Sequence, residues 1–294
     1  MVHYYFGDML RQARKELNLT QEELAFGICS VGTISKIENG TCIPRRRNYE
    51  ALLQRIGKSS YVQRMQLSHA EEQQQSIIYE IKRCIADDEV ERAGSLLNRH
   101  FPKEEQKDAL SLQFVQSMWA IIMSQKGMPP DEVMEELRQA LLLTGLNTGE
   151  SMTLKRFYTF NEMIIFNNIA IQHLRKKEYR EAFLLWDRLK KYLENRPVDM
   201  EEKGKVYPVI QYNYALMCAE MGMQNECAKI CREAIRFCEE QGQLFVLPYL
   251  LDCLARNQGE SKEENHACKE RAEALFQAMT FHHARRMEPI YMVC

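Results

Sequence analysis

Between residues 70 and 280 one spacing of small and apolar residues returns five times, and it restricts the chain to stacked pairs of helices. Ala170 is followed by Ala182 twelve residues on and by Leu189 seven further. Ala215, Cys227 and Ala234 repeat those intervals, as do Ala255, Ala267 and Ala274. Ile121, Val133 and Ala140 keep them in weaker form, and Ile81 and Ala93 keep the first. The leading positions lie 40, 49, 45 and 40 residues apart. Small residues at such points let antiparallel helices approach closely, and a period of this length marks an array in which each unit is buried only by its neighbours. From residue 61 on no strand pattern appears, and Gly, Pro or polar clusters punctuate the chain every 15–20 residues or so.

The stretch Thr20–Gly40, TQEELAFGICSVGTISKIENG, reads differently. Thr20 with Glu23 three residues later is a capping box, and Leu24, Ala25 and Ile28 give the short helix behind it an apolar face. Gly27, Cys29 and Ser30 interrupt that helix, and Ser30 caps a second one running to about Asn39. Ile34 and Ile37 point inward there, which leaves Val31, Thr33, Ser35 and Lys36 facing out. Asn39-Gly40 closes it with a pair that tolerates the left-handed conformation. An amphipathic segment over 6–17 precedes these helices, with Phe6, Leu10, Ala13 and Leu17 inside; a helix over 45–56 follows, with Tyr49, Leu52, Leu53 and Ile56 inside. The predicted domains are 1–57, a polar hinge over 58–69 that opens with Lys58-Ser59-Ser60, and 70–294.

The residues Thr20-Gln21-Glu22-Glu23-Leu24-Ala25, then Thr33-Ile34-Ser35-Lys36-Ile37-Glu38-Asn39-Gly40 and Pro44, strongly resemble the phage-repressor/Cro (Xre) class of helix-turn-helix domains over about Phe6–Gly57. One departure is Cys29, which stands in the turn where Gly is usual. The later units resemble the tetratricopeptide repeat, whose common period is about 34 residues, with lengthened helices. Tyr179 and Trp186 fill the large-residue places of the best unit. The expected fold is all-α: a lambda-repressor-like helix-turn-helix domain followed by a TPR-like α-solenoid of about five repeats.

Such a head implies double-stranded DNA as a partner. Ser30, Val31, Gly32 and Thr33 are the expected neighbours of base edges, with Ser35 on the same outward face. Val31 suits a thymine methyl, Thr33 a hydrogen bond, and Gly32 a close backbone approach. Gln21 and Lys36 are expected on phosphates, joined by Arg45, Arg46 and Arg47 beside the recognition helix. Residues 1–57 carry eight Lys/Arg against six Asp/Glu while the remainder is net acidic, so the case for DNA rests on the motif more than on charge.

The concave face of a helical-repeat stack suits an extended peptide. Asn168 and Asn213 fall at equivalent positions, each two residues before its small anchor, and an asparagine amide can bond a peptide backbone whatever its side chains. Trp119 and Cys253 hold the same place in adjoining units, and Asn167, Tyr212, Tyr249, Asp252 and Arg256 are the expected neighbours in the groove. Head and solenoid together resemble, over essentially the whole chain, the Rgg/PlcR-type (RRNPP) peptide-responsive quorum-sensing regulators. That resemblance implies a cytoplasmic homodimer that reads an inverted repeat and binds a short signalling peptide, with Asn168 and Asn213 in the family's backbone contacts. A second reading is a helical-repeat interaction adaptor of antitoxin or sporulation type, with the head secondary.

Other classes are disfavoured. Ten cysteines without a leader or a membrane-length apolar run read as free thiols in a cytoplasmic protein. Cys227 and Cys231 sit four apart, but their repeat positions give them packing roles and no CxxC occurs, so no metal or other cofactor is expected. No phosphate loop, nucleophile elbow or HExxH is present, and no catalytic residue is assigned.

Overall fold

The capping signals place the first helices. The computed structural model describes residues 2–59, 69–106, 108–146, 152–154, 156–257, 262–279 and 288–291. The head holds α1 (Val2–Glu16), α2 (Gln21–Ala25), α3 (Val31–Glu38) and α4 (Arg46–Arg55). Thr20 accepts from the Glu23 amide while Glu23 accepts from the Thr20 amide, which completes the capping box, and Ser30 accepts from the Thr33 amide at the start of α3. Leu10, Leu24, Ile34, Ile37 and Leu52 fill the core of the head. Beside it Glu38 is buried and accepts from Arg14 at 2.6 and 2.9 Å and from Gln21 at 2.9 Å, which ties α1, α2 and α3 together. Burial pushes the Glu38 carboxyl up, but those bonds and the charges of Arg14 and Arg11 outweigh it and hold the group below its ordinary value.

Among the described residues five helix pairs follow: α5 (His69–Ala86) with α6 (Val90–His100), α7 (Ala109–Gln125) with α8 (Pro130–Leu143), and α9 (Phe160–Arg175) with α10 (Tyr179–Asn195). They continue as α11 (Met200–Glu220) with α12 (Gln224–Gln241) and α13 (Leu247–Asn257) with α14 (Lys262–Ala278). Each pair coincides with one predicted unit. In the first four, the leading residues Ile81, Ile121, Ala170 and Ala215 and their partners Ala93, Val133, Ala182 and Cys227 are buried between helices. The turns also recur: Asp88, Lys177 and Gly222, each seven residues past its leading position, adopt φ of 62°, 60° and 72°. The fifth unit departs from the expected register. Ala267 and Ala274 are exposed, and Cys268, Ala272 and Phe276 face inward instead. An advance of one residue turns a helix face by about 100°. As the last helix described, α14 packs mainly on α13, so one inward stripe suffices.

The head is docked on the repeats rather than hung from them. Helix α4 packs on α7 and α9, and Arg55 (2% exposed) pairs with Glu162 (1% exposed) of α9 at 3.4 Å while also donating to the Phe26 carbonyl. Glu162 is itself the capping-box residue of α9 and accepts from Thr144 at 3.1 Å. Gly27 sits at φ 68°, and a Cβ there would strike the Thr144 carbonyl, so only glycine permits this approach of the α2–α3 turn to the body. The opening of the expected hinge is also fixed: the Ser59 amide donates to Asp199 at 2.9 Å and its hydroxyl to Glu201 at 2.8 Å. The rest of that hinge, 60–68, lies outside the described residues.

Candidate nucleic-acid interface and repeat groove

The face of α3 turned away from the head core is polar and open. Ser30, Gly32 and Lys36 are exposed, Val31 is 44% exposed, and Thr33 and Ser35 are half-buried. The Ser30 hydroxyl pairs with that of Thr33 at 2.9 Å, so the helix cap and a candidate base reader share one bond. A Cβ added to Gly32 would meet nothing nearer than the Ser30 hydroxyl, at 3.9 Å. The body meets the head through α4, Phe26 and Gly27, and leaves this face uncovered.

The basic run splits. Arg45 is exposed, and Arg46 is half-buried and pairs with Glu50 at 2.6 Å. Arg47, expected on phosphate, turns inward instead: its guanidinium lies 5.5 Å from the Phe114 ring and 5.9 Å from that of Phe101, and burial lowers its pKa. Arg45 stands just before α4 in extended backbone, and Arg46 and Arg47, consecutive on the helix, point about 100° apart, so the three do not share a face. Gln21 spends its amide on Glu38 inside the head.

Within the repeats the predicted asparagines meet. Asn167 donates to Asn168 at 3.2 Å, and its oxygen accepts from Trp186 at 3.0 Å and from Asn213 at 3.2 Å. Asn213, fully buried on α11, also takes both main-chain groups of Ile290: it donates to the carbonyl at 2.9 Å and accepts from the amide at 2.8 Å. The other expected neighbours stand apart from this cluster. Tyr212 is buried against Tyr249, whose ring meets Phe276 edge-on, and the buried Asp252 accepts from the exposed Arg256 at 2.9 Å. The supposed equivalents do not line the same surface either, since Trp119 covers Gly94 on α6 and Cys253 faces Cys227.

Two polar groups on the neighbouring first helices escape the sequence reading. Ser124 of α7 bonds Gln172 of α9 at 2.9 Å and the Tyr291 hydroxyl at 2.8 Å, and Arg175 donates to Ser124 at 3.0 Å. Ser117 and Asn161 make a weaker rung between the same helices at 3.4 Å. The usable signal is the interval of seven between Ser117 and Ser124, which marks one face of α7 as polar within an otherwise apolar helix. Cys227, Cys231 and Cys253 also converge, their sulfurs within 4.8 Å of one another, as the one group of three metal-ligating side chains among the described residues.

Residues 10–61 match the helix-turn-helix family. No curated protein matches the chain along its sequence. In structure it is similar to Bacillus thuringiensis PlcR, solved in complex with the peptide PapR7 and DNA, with a TM-score of 0.62 at 17% identity over 95% of this chain and 96% of that one. More distant likenesses include the Streptococcus dysgalactiae SHP pheromone receptor Rgg2 (TM-score 0.43, 15% identity, 93% of each chain). ComR from S. thermophilus, solved with DNA and its signalling peptide ComS, is comparably distant (0.45, 15%, 93% of this chain and 94% of that one). The head is thus an Xre-type helix-turn-helix domain, and the chain as a whole has the fold of PlcR, that head set on TPR-like helical repeats.

Proposed function

We propose that this chain is a DNA-binding transcriptional regulator that acts as a cytoplasmic homodimer on an inverted repeat, with a short peptide in its repeat groove modulating the heads. The observation that carries the reading is the polar face of α3, which neither the head core nor the repeats packed on α4 cover. Val31 and Gly32 present that face to base edges, Thr33 and Ser35 flank them, and Lys36 with Arg45 supplies charge for phosphates. Asn213 supports the second half, because it already holds a main-chain N–H and C=O together as a bound peptide would require. A groove of buried asparagine, glutamine and serine favours this over the adaptor reading, which calls for large apolar side chains. PlcR, of the same fold, was solved with both a peptide and DNA. No helix among the described residues is long and apolar enough to cross a membrane.

Gly32→Ala tests the DNA half cleanly. The fold has room for the methyl, and removing a helical glycine stabilises the head by about 0.5–1 kcal/mol. Where the backbone of α3 approaches DNA closely, the same methyl clashes. The expected result is an unchanged or higher melting temperature together with at least about tenfold weaker DNA binding, measured by fluorescence anisotropy at fixed salt. Unchanged affinity would remove α3 from the interface.

A further inference from the structure

The segment 288–291, Glu288-Pro289-Ile290-Tyr291, occupies the face that the proposed function gives to a peptide. Its hydrogen bonds fall on the first helices of two repeats, α7 and α11, and α9 between them supports one of those contacts. Ile290 is held through its backbone by Asn213 of α11, and the Tyr291 hydroxyl bonds Ser124 of α7, which Gln172 of α9 supports in turn. The Tyr291 ring packs against both repeat cores, that of α5–α7 and that of α7–α14. Nothing in the Asn213 pair depends on the isoleucine side chain: one amide satisfies both polar groups of one residue, and any extended segment could present the same pair. The Tyr291 end is selective, because its ring packs on apolar side chains while its phenol reaches a buried serine that Gln172 and Arg175 also bond.

We infer that segment 288–291 is an intramolecular occupant of the groove, and that the groove's ligand is a short extended peptide with an apolar residue followed by an aromatic hydroxyl. The inference rests on the reading of this groove as a peptide site. Such a ligand must displace the segment, so its apparent dissociation constant exceeds the intrinsic one by the inverse of the fraction of molecules with the groove free. The chain thereby sets the peptide concentration at which it responds.

The probe is the acetylated, amidated peptide Glu-Pro-Ile-Tyr carrying a fluorophore, with the full chain as receptor. Two substitutions release the segment: Ile290→Pro removes the amide that donates to Asn213, and Tyr291→Ala removes the phenol. The double variant is expected to bind the probe at least tenfold more tightly than the unaltered protein, and Asn213→Ala added to it should abolish that gain. A control peptide with Tyr replaced by Ala should bind the released variant more weakly than the probe. Equal binding by the unaltered and released proteins, with Asn213→Ala still weakening both, would overturn the intramolecular occupant and leave the peptide groove standing. No binding by the released variant, with its melting temperature intact, would overturn the groove reading itself. Equal binding of probe and control would overturn the claimed selectivity for an aromatic hydroxyl.

Discussion

Glu162→Ala is expected to destabilise the protein by about 3–5 kcal/mol, the cost of leaving a buried charge without its partner. Arg55 is 2% exposed and pairs with the Glu162 carboxylate at 3.4 Å. The same carboxylate accepts the Thr159 amide at 2.8 Å and the Thr144 hydroxyl at 3.1 Å, so its removal also uncaps α9 and frees the turn beneath Gly27. Glu162→Gln keeps an oxygen for the cap and loses only the charge, and should cost visibly less. Chemical denaturation of the three proteins reads the difference, and hydrogen exchange should place the new opening at the contact of α4 with α7 and α9. A loss below about 1 kcal/mol for the alanine variant would mean that Arg55 is solvated once its partner is gone, and that the head is not fixed by this pair.

Trp186→Ala should cost a similar amount, about 3–5 kcal/mol, by a different route. Trp186 is fully buried on α10, and its indole N–H donates to Asn167 at 3.0 Å. The alanine leaves a cavity between α9 and α10 and takes a partner from the asparagine that also receives Asn213. The variant is therefore expected to lose both melting temperature and groove order, whereas Trp186→Phe should recover most of the volume without the N–H. Equal binding of the Glu-Pro-Ile-Tyr probe to both variants in a segment-released background would separate Trp186 from the groove and leave it a packing residue.

What the sequence makes legible is whatever is written locally or periodically. Thr20 with Glu23 and Ser30 with Thr33 are contacts between neighbours, and the caps they predict are present. Ile34 and Ile37 follow helical period and lie in the core, as do the leading residues of the first four repeats. The failures are of another kind. Three arginines look alike as a run of charge, yet the body packed on α4 draws Arg47 between Phe101 and Phe114, elements more than fifty residues away. The pairing of Arg55 with Glu162 spans 107 residues, and that of Asn213 with Ile290 spans 77. No spacing rule encodes either contact, because both depend on how the finished stack curves. The fifth repeat departs because, among the described residues, no further helix packs on α14 to enforce its register.

The central claim is that the open face of α3 reads a DNA sequence, and binding selection from random duplex DNA by the purified protein addresses it most directly. The expected outcome is enrichment of one inverted-repeat motif, with half-sites about 34 Å apart or a multiple of that distance. Val31→Ala should alter the preference at one position of each half-site by about 1–3 kcal/mol. Binding that falls with salt but enriches no motif, with the unaltered protein fully folded, would contradict the claim.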